Sequence, residues 1–163
     1  MKIKKEFIIV ILLLWMFLIF SFSNQNVTNS ISLSDKVASK IIDVVVKIKK
    51  KEISPIEKAR MIKKTRVIVR KTAHFTEYFI LGILVFKIFE MYGASRNLIY
   101  SVLFCFFYAC SDEVHQLFSD GRSAKVLDVL IDTSGSILSI CCLQFIKERK
   151  FKINKEKELS HFD

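Results

Sequence analysis

Four long apolar stretches constrain what this chain can fold into. They lie at about 7–23, 74–92, 98–118 and 126–146. A helix needs about 20 mainly apolar residues to cross a bilayer, and the last three stretches reach that length only if polar residues at one end are counted. Backbone N–H and C=O groups must be hydrogen-bonded within lipid, and a helix satisfies them within its own segment, so the spans are predicted to be helices. Since the chain has only 4 Gly and 1 Pro, we expect an all-α integral membrane protein, a bundle of four transmembrane helices.

The segment 24–73, between the first two spans, is too polar to cross a bilayer. Its first half carries apolar residues at helical spacing between lysines: Val37, Ile41, Val44, Val45 and Ile48. This pattern is typical of an amphipathic helix lying on a membrane surface. Ser54 and Pro55 mark a break, because Pro suits the first turn of a helix. A second basic helix is predicted to begin at Ile56 and to run on into the second span.

The first apolar stretch has two interpretations. Its lysine-rich flank and the small residues Ser21 and Ser23 at its end resemble a secretory signal peptide. However, the stretch is longer than a usual signal-peptide core and stays bulky to its end, with Trp15 and Phe17 near its centre. We therefore expect it to be retained as a membrane helix.

The net charge of +10 is concentrated in basic blocks at the N-terminus, from Lys36 to Lys71, and in the tail 147–163. Such blocks beside apolar spans favour membrane lipids with anionic headgroups as partners, and no signature of nucleic-acid binding is present. The basic N-terminal flank and tail place both termini in the cytoplasm, although the basic segment 24–73 argues the other way. The polar ends of the spans then face outside.

Three polar stretches lie at one end of the last three spans, within 70–82, 111–122 and 128–136. Because consecutive spans run in opposite directions, all three fall at the same membrane edge. Helical spacing gathers the following residues on faces of the second, third and fourth spans: His74, Glu77, Tyr78; Tyr108, Ser111, Asp112, His115, Gln116; Asp128, Asp132. Gly135 and Ser139 continue the last face, and small residues favour close helix packing. The three faces are therefore predicted to meet inside the bundle.

Several carboxylates near lipid require compensation, since charges are costly in hydrocarbon. They belong to Glu77, Asp112, Glu113, Asp128 and Asp132. One of them could be protonated and act as a general acid or proton carrier. A divalent cation could be held by mixed His and carboxylate ligands, with His74, Glu77, Asp112, His115 and Asp128 as candidates. Alternatively, Arg70 and Arg122 could pair with carboxylates and only hold the helices together. Glu113 projects about 100° away from Asp112 on an ideal helix and is expected nearer solvent.

Four of these stretches resemble the VanZ-like family of small bacterial membrane proteins. They read FSFSNQ, RKTAHFTEYFILG, SDEVHQLFSDGR and DVLIDTSGS. The elements H-x-x-E-Y, S-D-E-x-H-Q and G-R…D-x-x-x-[ND]-x-x-G occur in the order and at the intervals that the family shows. The resemblance implies a single helical membrane domain over 1–163, in the bacterial plasma membrane. It also implies a link to glycopeptide resistance, especially to teicoplanin and lipoglycopeptides.

No G-x-S-x-G elbow, P-loop or H-E-x-x-H motif identifies a reaction, so several functions are considered. The first is a membrane-embedded hydrolase or transferase acting on a lipid-linked or peptidoglycan-related substrate. Its candidate catalytic residues are His74, Glu77, Asp112, Glu113, His115 and Asp128. Its candidate substrate-binding residues are Tyr78, Ser111, Gln116, Arg122 and Asp132. The alternatives are a protein that binds a lipid or an antibiotic anchor without turnover, and a helper subunit of another membrane protein. An ion-coupled transporter fits less well, because its charges belong near the midplane.

Overall fold

A computed structural model describes residues 5–23, 27–50, 52–117 and 125–159. Within these ranges the chain forms five α-helices and no strand, which confirms the all-α prediction. The helices are α1 Lys5–Ser23, α2 Val27–Lys49, α3 Pro55–Met91, α4 Asn97–Gln116 and α5 Val126–Leu159.

Three of the described helices, α1, α3 and α5, are long and apolar enough to cross a membrane. They coincide with the first, second and fourth predicted spans. The third predicted span corresponds to α4, a helix of 20 residues that is not among the three. Its last turns carry Asp112, Glu113 and His115, which lower its mean hydropathy.

The helices α1, α4 and α5 all pack against α3. At one end of this bundle, the Lys5 ammonium lies 4.7 Å from the centre of the Tyr92 ring. Glu90 pairs there with Lys87 at 3.2 Å and with Lys147 of α5 at 3.3 Å. The start of α1, the end of α3 and the Lys147 region of α5 therefore share one end, so α1 and α3 run in opposite directions. The helices α3 and α5 run in the same direction, because Lys71 and Asp128 meet near the other end.

Apolar side chains fill the bundle and also cover its outside. The interior contains Ile19, Tyr78, Leu81, Val85, Phe86, Cys105, Ala109 and Ile140. Leu13, Leu14 and Phe17 on α1 point away from the other helices and are exposed. Large exposed apolar surfaces mark sites of protein or membrane contact. An apolar exterior on helices of this length supports the interpretation of the bundle as membrane-embedded.

The closest approach in the bundle joins α3 to α5 through small residues. A Cβ atom on Gly82 would collide with the Ser139 hydroxyl oxygen and would lie 2.8 Å from the Ser136 carbonyl oxygen. A Cβ atom on Gly135 would collide with the carbonyl oxygen of Phe75. Small residues allow membrane helices to approach this closely. The prediction that the Gly135–Ser139 face points into the bundle is confirmed.

The helix α3 continues well beyond the bundle on its N-terminal side. Ser54 caps it by accepting a hydrogen bond from the Glu57 amide at 3.2 Å, and Pro55 occupies the first turn. The helix has 37 residues, a length of about 55 Å at 1.5 Å per residue. A hydrocarbon core is only about 30 Å thick, so the first half of α3 is an extension of the span. The prediction that the basic helix runs on into the second span is confirmed.

The amphipathic α2 packs along this extension in a helical hairpin. Ala38 and Ile42 are buried against α3. Two ion pairs fix the antiparallel register: Asp35 to Arg66 at 2.9 Å and Asp43 to Lys58 at 2.6 Å. The opposite face of α2 remains exposed and apolar, with Leu33, Val37, Ile41, Val44 and Ile48. The structure thus gives one face of α2 a partner within the chain, while its contact with a membrane surface stays a prediction.

Candidate functional site

Three helices bring one ionisable side chain each to a common point. His74 of α3, Asp112 of α4 and Asp132 of α5 each offer a ligand atom, and these atoms all lie within 4.8 Å of one another. We call these residues the triad. Asp112 is 4% exposed and Asp132 is 2% exposed, while His74 is partly buried. The predicted meeting of polar faces inside the bundle is therefore observed.

The polar face predicted on the second span lies on successive turns of α3. The His74 Nδ1 atom lies 3.4 Å from the Glu77 Oε2 atom. Tyr78, one position further on, is completely buried and lies near the carboxylates of Asp112 and Asp132. The i, i+3, i+4 spacing of these α3 residues places all of them on the side that faces α4 and α5.

On α4, Asp112 is held by its own helix and lies beside the end of α1. The Gln116 side-chain amide donates a hydrogen bond to the Asp112 Oδ2 atom at 3.2 Å, one turn away. Ser23, the last residue of α1, is fully buried next to the Asp112 carboxylate. The first helix therefore contributes to the surroundings of the triad.

Glu113 differs from its expected position. It is buried, and its Oε2 atom accepts a hydrogen bond from the Lys125 amide at 2.8 Å. Lys125 immediately precedes α5, so this carboxylate occupies the electropositive N-terminal end of that helix. The rotation of about 100° from Asp112 turns Glu113 toward the start of α5, which covers it. The expectation that Glu113 faces solvent was wrong.

Asp128 lies one turn from Asp132 at the edge of a small cavity. The Lys71 ammonium pairs with the Asp128 Oδ1 atom at 2.6 Å. The cavity has a volume of about 20 Å³, and about 10–15 Å³ is sufficient for one water molecule. Its polar lining comprises Arg70, Lys71, His74, Glu113, Gln116, Asp128 and Asp132. The cavity therefore suits a single small species beside the triad, such as a water molecule or an ion.

Two other predicted site residues lie apart from the triad. Ser111 is exposed and donates a hydrogen bond at 2.8 Å to the Tyr108 carbonyl oxygen of its own helix. The His115 ring stacks on Phe20 of α1, with centroids 4.3 Å apart. Arg122 lies outside the described residues.

A model of one protein family matches residues 7–147. Its description is VanZ/LLP1. This chain belongs to the VanZ/LLP1 family. The match covers all but the first two residues of α1, all of α2, α3 and α4, and α5 as far as Lys147, and so includes the whole triad. The resemblance found in the sequence motifs is confirmed. Comparisons with curated proteins and with solved structures give no match.

Two residues near the site of this VanZ/LLP1 chain were not identified as functional from sequence. The Trp15 indole nitrogen donates a hydrogen bond to the Glu77 carbonyl oxygen at 3.0 Å. The Tyr108 hydroxyl donates to the Met16 carbonyl oxygen at 2.7 Å. These bonds tie α1 to α3 and α4 close to the triad. The position of Trp15 in the middle of an apolar span could have indicated such a contact, because a buried Trp N–H usually finds a hydrogen-bond acceptor.

The VanZ/LLP1 triad has the donor types for two kinds of chemistry. An imidazole and two carboxylates can exchange protons with a bound molecule, and the same atoms are ligands for a divalent cation. Their burial excludes bulk water and strengthens electrostatic interactions within the site. Three of the residues that the family motifs single out, His74, Asp112 and Asp132, thus share one location with suitable donor chemistry.

Proposed function

We propose that this VanZ/LLP1 protein acts on a lipid-linked or peptidoglycan-related substrate of the bacterial cell envelope. The observation that carries the proposal is the convergence of the triad from three separate helices. Ionisable residues within membrane spans are costly to insert and mark functional sites. The triad lies at the end of the bundle, where a substrate anchored by its lipid tail could present its headgroup.

The proposed architecture has four spans. The helix α4 packs against both α3 and α5, and its 20 residues are the length that a span needs. Its polar last turns are covered by the neighbouring helices, since Asp112, Glu113 and Gln116 are all buried. Burial against protein removes the main penalty for polar groups at that depth. The helix α4 therefore serves as the third of four spans.

In this arrangement both termini are cytoplasmic and the triad faces outside. The hairpin of α2 and the α3 extension then lies at the outer surface of the plasma membrane. The exposed apolar face of α2 contacts lipid, while its lysines meet anionic headgroups. A lipid-anchored substrate would approach the triad past this hairpin.

The topology is tested with single cysteines in a variant whose four native cysteines are replaced. Lys47→Cys places a thiol on α2, and Lys152→Cys places one in the tail. A membrane-impermeant maleimide should label the first in intact cells and the second only after permeabilisation. Labelling of both in intact cells would mean that the chain crosses three times and that α4 is not a span. The reverse pattern would overturn the orientation.

The function is tested by the composition of envelope precursors in cells that produce the wild type, Asp112→Asn or Ser134→Ala. Ser134 is two positions from Asp132, on the exposed side of α5, and serves as the control. We expect lipid-linked precursors to differ between cells with the wild type and cells lacking the protein, and expect Asp112→Asn to resemble the latter. Equal precursor profiles in all strains would contradict the proposal.

The link to glycopeptides is tested in the same strains. The resistance known for VanZ-like proteins leads us to expect that loss of the protein raises susceptibility to teicoplanin. A change in susceptibility that depends on Asp112 while precursors stay constant would favour the alternative, a site that binds a lipid or antibiotic anchor without turnover. A stable heteromeric complex, with both readouts lost when the partner is deleted, would identify a helper subunit.

A further inference from the structure

We propose that the triad of His74, Asp112 and Asp132 binds one divalent cation. The inference goes beyond the proposed function, because it concerns a ligand of the protein itself and requires no assumption about the substrate. It rests on the geometry of the triad, on unpartnered polar atoms that face it, and on the balance of charge around it.

The first observation is the geometry of the donors. One imidazole nitrogen and two carboxylate oxygens lie within 4.8 Å of one another. Bonds of about 2.0–2.2 Å from a metal to such donors place donor atoms about 3–4 Å apart. Small side-chain rotations close the remaining gap. The three ligands come from three helices, so the cation would also join α3, α4 and α5.

The second observation is that buried polar atoms at the triad lack partners. Among the described residues, nothing hydrogen-bonds the Asp132 Oδ1 atom, although Asp132 is 98% buried. The same holds for the hydroxyl group of Tyr78, a completely buried residue near both carboxylates. Buried polar groups in proteins are nearly always paired. Asp132 therefore has ligand capacity that the described chain does not use.

The third observation concerns charge. None of the described lysine or arginine side chains forms an ion pair with Asp112 or Asp132. Two basic residues, Arg70 and Lys71, line the adjoining cavity, and Lys71 is engaged by Asp128 at 2.6 Å. Two neighbouring buried carboxylates repel each other and are costly to desolvate. One divalent cation would neutralise both.

The donor set indicates the class of metal. Carboxylates suit hard cations such as Mn²⁺, and imidazole suits Zn²⁺ and Fe²⁺. The described part of the chain offers no thiolate to the triad, which argues against a soft cation. Because Ca²⁺ and Mg²⁺ prefer oxygen ligands, the imidazole favours a first-row transition metal. Three protein ligands leave coordination positions open for water or substrate, on the side of the adjoining cavity.

This set differs from the ligands predicted by sequence. It keeps His74 and Asp112 and adds Asp132, which was expected to bind substrate. His115 is stacked on Phe20 and Asp128 is paired with Lys71. His115 therefore provides the histidine control. Asp128 lines the adjoining cavity, so the aspartate control is Asp43, which pairs with Lys58 on the hairpin of α2 and α3.

The test uses the full chain purified in detergent and treated with a chelator. Mn²⁺ is added stepwise, and free Mn²⁺ is followed by electron paramagnetic resonance, with helicity checked by circular dichroism. We expect about one tightly bound Mn²⁺ per wild-type chain. His74→Gln and Asp112→Asn should each weaken binding at least tenfold, while His115→Gln and Asp43→Asn should remain within about threefold of wild type.

The proposal is overturned if the wild type shows no saturable binding or if both triad variants bind as the wild type does. It is also overturned if the controls lose as much affinity as the triad variants while all remain folded, since the cation would then not be specific to the triad. This experiment contains no substrate, so its failure would leave the envelope-precursor result standing. Likewise, unchanged precursors beside saturable Mn²⁺ binding would contradict only the proposed function.

Discussion

The Phe75 carbonyl oxygen occupies the space that a Cβ atom on Gly135 would need. Phe75 directly follows His74, and Gly135 lies one turn after Asp132. The backbones of α3 and α5 thus touch immediately beside two members of the triad. This contact sets the separation of His74 and Asp132, which side chains of ordinary size would increase.

Gly135→Ala should therefore destabilise the bundle. Adding atoms to a closely packed interior costs about 1–3 kcal/mol, and the obstacle here is backbone, which cannot move aside as a side chain can. Thermal unfolding in detergent would show a lower midpoint for Gly135→Ala than for Ser134→Ala, a control at an exposed position of the same helix. Equal midpoints would contradict the close approach of α3 and α5.

The ion pair between Lys71 and Asp128 predicts a measurable coupling. The pair is partly exposed, and such pairs contribute about 0.2–1 kcal/mol. Unfolding of Lys71→Gln, Asp128→Asn and the double variant completes a double-mutant cycle. We expect the double variant to lose less stability than the sum of the two single losses. This difference, the coupling energy, should shrink at high salt, because salt screens the interaction between exposed charges. Strict additivity would show that the two side chains do not interact.

The hydrogen bonds from Trp15 and Tyr108 predict that α1 is a stable part of the bundle. Trp15→Phe and Tyr108→Phe each remove a donor to a backbone carbonyl oxygen, and a hydrogen bond contributes about 0.5–1.5 kcal/mol. Both should lower the unfolding midpoint. Tyr100→Phe makes the same chemical change at an exposed tyrosine and should have little effect. If all three variants unfolded at the same midpoint, the two hydrogen bonds would not contribute to the stability of the bundle.

The hairpin of α2 and α3 predicts a contrast between two adjacent isoleucines. Ile42 is 4% exposed and Ile41 is 43% exposed. Large-to-small substitution at a buried Ile costs about 2–5 kcal/mol, so Ile42→Ala should loosen α2 from α3. Limited proteolysis should cut α2 faster in Ile42→Ala than in Ile41→Ala. Similar cleavage of both would mean that α2 is docked through another face.

Much of the fold was predictable because lipid leaves few alternatives. The lengths of the apolar stretches predicted the spans. Because consecutive spans alternate in direction, the sequence also predicted that the three polar stretches lie at the same membrane edge. The structure confirms three candidate spans and the continuity of α3. The packing of α2 on the α3 extension was not predicted, since an amphipathic face does not reveal whether it covers lipid or another helix.

The site was predictable to the level of a helix face but not of an individual residue. Asp128 and Asp132 differ by only about 40° around an ideal helix, so spacing could not decide which one meets His74. The depth of each aspartate in the bundle determines which one meets His74. Asp132 lies one turn further into the bundle, while Asp128 remains within reach of Lys71. Glu113 was misplaced because its burial depends on the start of α5, a contact between segments that periodicity on one helix cannot show.

The continuity of α3 has a mechanical consequence. His74 lies near the midpoint of a helix that extends from Pro55 to Met91, where α4 and α5 each direct an aspartate at it. The half of α3 that follows His74 is clamped in the bundle by α1, α4 and α5, whereas the half that precedes it carries α2. Displacement of α2 would therefore bend α3 where the clamped half begins, which is beside the imidazole.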